Sequence, residues 1–387
     1  MASKNNHETP RFKTLLAIGE LKRQKRALIA RYSGASDVKG LTQAFTTLLP
    51  LALLWFVAAF SVNISLWLTA AATLAISLFT LRVLVLMHEC GHDSLFRTPR
   101  LNRSFGFVFG VIAGMPQFVW SEHHAFHHAN NGNWEAYRGP LTTPTVEEFA
   151  AMSDAKQRWY YRTRNWTMAP LGGFVYLLFN PRFTWAKGTL ELLVHLVRRK
   201  IEQPGISVRV HAGSFRTANW KSSREYWHMF WNNVVLLCVW TAMCWAMGAG
   251  LFFGVYVISV SLAGGAGIAL FTVQHNFEHA HATDRKRWDY DVGALKGTSF
   301  LLLPGWLNWF TANIGYHHIH HLSATIPNYS LAACHNEFQQ LFVDVPRVEL
   351  ATIPAALNCL LWDVRAQRII SLAEYRTQQG NQQNCGK

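Results

Sequence analysis

The stretch Asn313-Ile-Gly-Tyr-His-His-Ile-His-His-Leu322 places four histidines within five positions. Two other stretches are of the same kind, His123-His-Ala-Phe-His-His128 and His88-Glu-Cys-Gly-His92. A further group, made of His275, His279 and His281, lies between the stretches 123–128 and 313–322. Thirteen of the 18 histidines therefore fall into four clusters. Because imidazole is a common ligand for transition metals, clustering on this scale indicates metal binding.

The spacing inside the clusters is helical. Three or four residues separate the histidines, and on a helix these intervals place side chains on one face. Ten histidines fit this pattern and are candidate metal ligands: His88, His92, His124, His127, His128, His275, His279, His317, His320 and His321. One zinc ion takes only four ligands, whereas eight to ten imidazoles suit two iron ions. Imidazole also suits copper and zinc, so the spacing does not identify the metal.

Four neighbouring residues are candidates for orienting these ligands. His123 and His318 are the doublet partners of His124 and His317, and Glu89 and Glu278 lie directly beside cluster histidines. Carboxylates near a metal site usually hydrogen-bond to the ligating imidazoles. His281 is the weakest candidate in its own group.

The composition indicates a membrane protein. Half of the residues are hydrophobic and 15% are charged, against about 25% charged in ordinary globular domains. No charged side chain occurs from 43 to 62, from 64 to 81 or from 226 to 277. Each run is long enough to cross a hydrocarbon layer of about 30 Å. The sequence predicts an all-α integral membrane fold with four transmembrane helices in two hairpins, near 43–62, 64–86, 230–249 and 251–273.

The charge distribution predicts the orientation. Lys and Arg outnumber Asp and Glu by 36 to 22, and they flank the apolar runs, which favours a membrane surface over nucleic acid as partner. The positive-inside rule places both termini and every histidine cluster in the cytosol, under a helical cap. We expect a basic cytosolic arm (1–42), a membrane domain (43–345), and a cytosolic C-terminal helix with a loose tail (346–387). The apolar segments 105–120 and 166–185 are interpreted as interfacial or re-entrant.

Two other functions compete at this point. His88-Glu-Cys-Gly-His92 matches the H-E-x-x-H pattern of zinc metalloproteases, in which Glu89 is the general base. A protease of that kind needs one further ligand, however, and this chain offers many more. A metal transporter or store is a second alternative. Transport requires ionisable or polar residues inside the spans, and the four predicted spans contain almost none.

Three histidine clusters, here called boxes, follow one another around the two predicted hairpins at 88–92, 124–128 and 317–321. This arrangement resembles the membrane fatty-acid desaturases over roughly residues 40–345. Gln274-His275, Trp288-Asp-Tyr290 and the stretch 321–329 resemble the acyl-lipid delta-12/omega-3 branch in particular. The resemblance implies a di-iron centre of two non-haem iron ions that uses O2 and two electrons to remove two hydrogens from an acyl chain. The resemblance also implies that eight histidines of the three boxes, together with His275, are the metal ligands. That branch often lacks a histidine at the position of His279.

The resemblance also implies partners. The electrons come from outside the chain, because no flavin, dinucleotide or haem motif is present, and a ferredoxin or cytochrome b5 type donor fits a basic cytosolic face. Arg198, Arg199 and Lys200 are a candidate docking site for it. Trp306, Trp309 and Phe310 are candidates for lining the acyl slot or for anchoring the chain at the membrane interface. Hydroxylation or acetylenic-bond formation on the same scaffold stays open.

Overall fold

The computed structural model describes residues 10–139, 141–278 and 280–385, and this part of the chain is mostly helical. The helices are α1 (Pro10–Tyr32), α2 (Asp37–Ser61), α3 (Leu66–Gly91), α4 (Pro99–Ala113), α5 (Gln117–Asn130), α6 (Val146–Ala150), α7 (Asp154–Arg164), α8 (Ala169–Phe174), α9 (Asn180–Glu202), α10 (Val208–Ser214), α11 (Ser223–Met247), α12 (Ala249–His275), α13 (Tyr290–Lys296), α14 (Gly305–Phe310), α15 (His317–Leu322), α16 (Asn328–Glu337), α17 (Ile353–Leu357) and α18 (Leu372–Cys385). A π-helical turn, Val175–Phe179, joins α8 to α9, and short 3₁₀ turns lie at Trp166–Met168, Gln339–Leu341 and Leu350–Thr352. The strands are β1 (Phe300–Leu302), β2 (Arg347–Glu349), β3 (Cys359–Asp363) and β4 (Arg368–Ser371).

Four helices, α2, α3, α11 and α12, are long and apolar enough to cross a membrane. The prediction of four spans is therefore confirmed at the level of helix length and composition. Both α3 and α12 continue beyond the predicted ends of their spans, to Gly91 and His275. Two of the apolar helices thus lead without interruption into histidine clusters.

The outer faces of these helices are strongly apolar. Trp67 and Trp245 expose 87% and 90% of their surface, and Phe56 and Leu53 are also exposed. Contiguous apolar surface of this kind is rare on a protein that water surrounds. It is typical of helices that contact lipid.

Helices α4 and α5 form a bent pair with an angle of 100° between them, which is a broken span or a re-entrant loop by shape. Gly114 ends α4 in the left-handed conformation, with a φ of 78°. Its carbonyl accepts a hydrogen bond from the buried guanidinium of Arg182, which also donates to Asn232 Oδ1 at 2.5 Å. Backbone carbonyls at membrane depth need such internal partners, so Arg182 stabilises the bend.

Glycines allow α8 to cross α12 at close range. A Cβ atom at Gly173 would lie 2.7 Å from the Gly264 Cα, and one at Gly265 would lie 2.8 Å from the Pro170 nitrogen. Real Cβ atoms essentially never approach other atoms so closely. The backbones therefore touch directly, as small residues permit at helix crossings in membranes.

The basic arm folds onto the cap that carries the last histidine cluster. Leu21 and Leu28 of α1 are fully buried. Lys22 forms an ion pair with Asp289, and Lys25 forms one with Asp291, each at 2.5 Å. In the structure this arm packs against α13 and α16. Its apolar positions explain the contact, because they fill the core beside α15 and α16.

The expectation of an all-α fold is incomplete. β1 pairs with β2 in parallel, and β3 pairs with β4 in an antiparallel hairpin. The segment after 346, expected to be a helix and loose tail, holds β2, α17, β3, β4 and α18. Most residues of β3 and β4 are buried, so these two strands show no alternating pattern. β1 and β2 have only three residues each, which is too few for an alternating pattern to be recognised.

The close helix crossing predicts a stability difference between two glycine substitutions. Gly173→Ala should destabilise the protein by about 1–3 kcal/mol because the added methyl overlaps the α12 backbone. Gly254→Ala is the matched control, since a Cβ there meets nothing within 4 Å. Thermal unfolding of the detergent-purified proteins measures both effects. Equal melting temperatures for the two variants would contradict this packing.

Candidate metal centre

Four segments supply the clustered histidines, and rigid helices position them. His88 lies in the last turn of α3, and His92 directly follows that helix. His275 is the last residue of α12. The remaining histidines come from the buried faces of α5 and α15. The spacing of three or four residues therefore does place these rings on common faces, as predicted.

The side chains form two groups that could each hold a metal ion. Group A contains His88, His92, His124, His128 and His320, and group B contains His127, His275, His317 and His321. Within each group, one nitrogen per ring lies within 4.8 Å of the others. Helices α5 and α15 contribute to both groups, whereas α3 contributes only to A and α12 only to B. Nine of the ten predicted ligands are brought together, and His279 lies outside the described residues.

The two groups are adjacent. The rings of His128 in group A and His321 in group B stack at 4.1 Å with an angle of 12°. Inside group B, His127 Nε2 lies 3.2 Å from His321 Nε2, and His317 Nε2 lies 2.9 Å from His275 Nε2. Nitrogen atoms of several rings therefore converge on two neighbouring points.

Burial keeps these imidazoles neutral. It lowers the pKa of His92 to about 3, with a smaller contribution from His88. Burial also lowers the pKa values of His317, His320 and His321 well below the usual range. A neutral imidazole keeps a lone pair, which a metal requires.

Several of the buried nitrogens have no hydrogen-bond partner among the described residues. They include His92 Nε2, His317 Nδ1 and both ring nitrogens of His320. An unsatisfied buried polar atom costs about 1–3 kcal/mol. Bound metal removes that cost for nitrogens that point at it, so the donor set fits metal ions with nitrogen ligands.

A cavity of about 390 Å³ opens beside both groups. Four histidines, His88, His123, His124 and His127, form part of its lining. The rest is mostly apolar and comes from α3, α8 and α12, including Leu81, Leu84, Val85, Leu270 and Phe271. Such a space accepts a hydrophobic ligand next to the histidines.

The family model for fatty acid desaturases matches residues 65–349. The chain belongs to the fatty acid desaturase family. It is 29% identical to a fatty acid desaturase of Bacillus subtilis (strain 168), over 92% of each chain. More distant similarity relates this desaturase to the sn-1 oleoyl-lipid 12-desaturase of Anabaena variabilis, at 21% identity over 69% of this chain and 67% of the relative. The sn-2 acyl-lipid omega-3 desaturase (ferredoxin) of Helianthus annuus is 25% identical over 64% of this chain and 50% of its own.

Glu89 lies where a group that orients a ligand belongs. Its Oε1 is 3.1 Å from His88 Nδ1, and its Oε2 accepts hydrogen bonds from Ser94 Oγ and the backbone nitrogen of Asn328. His275 Nδ1 is similarly 3.3 Å from the Gly297 carbonyl oxygen. When Nδ1 carries the proton, Nε2 of each ring is left free for a metal.

Three other predicted orienting groups lie elsewhere. His123 is exposed and lines the cavity, but it belongs to neither histidine group. The ring of His318 turns toward His335, with 3.0 Å between His318 Nε2 and His335 Nδ1. Glu278 is 63% exposed and lies 3.5 Å from Arg368. Doublet partners point away because adjacent helical positions differ by about 100° around the axis.

The aromatic residues proposed to bind the acyl chain do not line the cavity. Trp306 and Trp309 are exposed, and Trp309 and Phe310 contact Phe79 edge-to-face. Arg82 donates to the Trp309 carbonyl and stacks on its ring at 3.8 Å. The cavity instead contains Trp120, Tyr137 and Tyr176. Of these three residues, only Trp120 could have been recognised from the sequence, because it lies four residues before His124.

Removing one ligand from each group should lower metal content selectively. His128→Ala and His321→Ala should each lose about half of the bound metal, because each removes a ligand from one of the two groups. Mutating a residue that only hydrogen-bonds to a ligand already lowers metal affinity about 10–100-fold. Elemental analysis of the purified protein measures the ratio of metal to chain. His123→Ala is the control and should keep its full content. Equal loss in all three variants would contradict the two groups.

Proposed function

We propose that this desaturase introduces a cis double bond into a lipid-linked acyl chain, using O2, two electrons and two iron ions held by its histidines. One observation carries the proposal: two adjacent groups of neutral imidazoles border an apolar cavity. Group A would hold one ion through His88, His92, His124, His128 and His320. Group B would hold the other through His127, His275, His317 and His321.

The reaction explains why the site has this composition. An unactivated methylene has no acidic proton and no leaving group, so side-chain acids, bases and nucleophiles cannot remove its hydrogens. Two iron ions, when bound, supply the oxidative chemistry that protein side chains lack. Overall, two hydrogens leave adjacent methylenes, and O2 is reduced to two waters with two electrons and two protons.

The chain's own residues bind the substrate and exclude water. Leu81, Leu84 and Val85 of α3 and Phe271 of α12 provide an apolar surface for the acyl chain. From Leu81 to His88 the helix rises about 10 Å, so the cavity reaches well into the helical bundle from the histidines. This depth lets methylenes lie beside the histidine groups while the chain end stays in an apolar environment.

The names of the relatives support a lipid-linked substrate and an external donor. They describe an oleoyl-lipid 12-desaturase and an acyl-lipid desaturase that uses ferredoxin. We infer a ferredoxin or cytochrome b5 type donor for this chain as well. The four apolar helices would form two hairpins, with the basic flanks and the active site on the cytosolic face.

The zinc protease alternative has less support. Its general base would be Glu89, yet both Glu89 oxygens are engaged by His88, Ser94 and the Asn328 backbone. Glu89 does not line the cavity either, whereas a general base must reach the proton that it removes. Hydroxylation and acetylenic-bond formation use the same scaffold, and product analysis separates them from desaturation.

Expression in a host that makes only simple monoenes tests the reaction. Mass spectrometry of the total acyl chains should detect a new double bond and its position. His317→Ala should abolish the product, because it removes a group B nitrogen, whereas His195→Ala, outside both groups, should retain it. A hydroxylated or acetylenic product, or unchanged acyl chains despite iron-loaded protein, would contradict desaturation.

Donor docking is tested by charge reversal at the end of α9. Arg198, Arg199 and Lys200 form a basic patch there with Glu202 as the acidic neighbour. Replacing all three with Glu should raise the donor concentration for half-maximal rate several-fold, most at low salt. Lys156, Arg158 and Arg162 on α7, changed in the same way, serve as the matched control. An equal effect of both triple variants, or no effect, would contradict docking on α9.

A further inference from the structure

Two tyrosines belong to the lining of the mostly apolar cavity beside the histidine groups. Tyr137 and Tyr176 both line it. The hydroxyl of Tyr137 forms no hydrogen bond with the described residues. The hydroxyl of Tyr176 accepts a hydrogen bond from Trp120 Nε1 at 3.0 Å, which leaves its own proton available. Two O–H donors in a cavity for a hydrocarbon chain therefore lack an acceptor.

Each tyrosine is connected to one of the histidine groups, Tyr137 by direct contact and Tyr176 through Trp120. The Tyr137 ring lies 4.6 Å from the ring of His127 in group B. Trp120, the partner of Tyr176, stacks on His124 of group A at 4.5 Å and 18°. A phenol is protonated at neutral pH, so Tyr137 can donate a hydrogen bond.

The backbone around Tyr137 is firmly held. The Asn131 side chain donates to the Gly293 carbonyl at 2.8 Å, and Trp288 Nε1 donates to the Asn131 carbonyl at 2.8 Å. Gly132 has a φ of 78°, and a Cβ there would lie 2.9 Å from the Gly293 Cα. The loop before Tyr137 therefore has little freedom to move. Such fixation is what a precise substrate contact requires.

A π-helical turn positions Tyr176. The turn, Val175–Phe179, interrupts the α-helical geometry between α8 and α9. Turns of this kind occur often at functional sites because they change the direction of one side chain. Here the turn coincides with the residue that carries a hydroxyl into the cavity.

We propose that Tyr137 and Tyr176 bind the carbonyl oxygen of the acyl substrate and thereby fix the double bond at a set number of carbons from the carboxyl end. The proposal rests on the desaturase function proposed above. The carbonyl is the strong hydrogen-bond acceptor that joins an acyl chain to its head group. Held by the two hydroxyls, it places the following methylenes beside His88, His124 and His127. The methyl end then extends toward Leu81 and Gly264.

A chain-length series separates this mechanism from its main competitor. If the far end of the cavity positioned the substrate, the double bond would keep a constant distance from the methyl end. Carbonyl binding requires a constant distance from the carboxyl end instead. Supplying myristoyl, palmitoyl and stearoyl chains to the expressing host and locating the double bond distinguishes the two. A position fixed from the methyl end overturns the proposal.

Tyr137→Phe tests the contact itself, because it removes a hydroxyl that has no partner in the described protein. We expect about tenfold lower kcat/KM, as for one lost hydrogen bond, and a mixture of double-bond positions. Iron content should stay unchanged. Tyr161→Phe, an exposed tyrosine on α7, is the matched control. Tyr176→Phe should lower kcat/KM and mix the double-bond positions in the same way. Trp120→Phe measures how much of the Tyr176→Phe effect comes from losing the hydrogen bond with the indole.

A binding measurement that needs no turnover distinguishes the failure of this proposal from failure of the proposed function. The wild-type protein should bind methyl palmitate about tenfold more tightly than hexadecyl methyl ether, which lacks the carbonyl. Tyr137→Phe should remove that preference. A preserved preference in the variant, with normal wild-type desaturation, overturns carbonyl binding alone. Loss of the preference without any desaturation by the wild type supports carbonyl binding and refutes the reaction.

Discussion

Nine imidazole rings, eight of them buried and His92 partly buried, must remain neutral and still find partners for their nitrogens, and the surrounding structure serves that requirement. Burial lowers the pKa values of His92, His317, His320 and His321, so proton uptake cannot satisfy them. Few protein acceptors or donors lie within reach. Metal ions are the partners that match two compact groups of nitrogen donors. The fold can therefore be understood as a support for rings that are costly without metal.

Helix geometry explains how rings from distant segments converge. Helices α3 and α12 are apolar along most of their length and carry His88 and His275 in their last turns, so the bundle itself fixes these two residues. The short helices α5 and α15 then bring rings to both groups at once. Glu89 connects the end of α3 to the start of α16 through Asn328. The same packing leaves the cavity between α3, α8 and α12, next to the two histidine groups.

Much of this arrangement follows from sequence periodicity and charge. Uncharged runs identify the four long helices, and intervals of three and four residues identify nine of the histidines that converge. Contacts between distant segments were not predictable. His318 lies beside His317 in the same cluster but turns to His335, and the cavity depends on glycines that let α8 approach α12. Tyr137 and Tyr176 belong to no spacing pattern, so only the folded chain reveals that they face the same space. The strands were missed because β1 and β2 have only three residues each and because most residues of β3 and β4 are buried.

The central claim is that these imidazoles hold two neighbouring iron ions. Anomalous diffraction at the iron absorption edge, from crystals of the purified iron-loaded protein, tests it most directly. The account predicts two iron peaks per chain, one among His88, His92, His124, His128 and His320 and the other among His127, His275, His317 and His321. A single peak, a zinc signal in place of iron, or peaks away from these rings would contradict it.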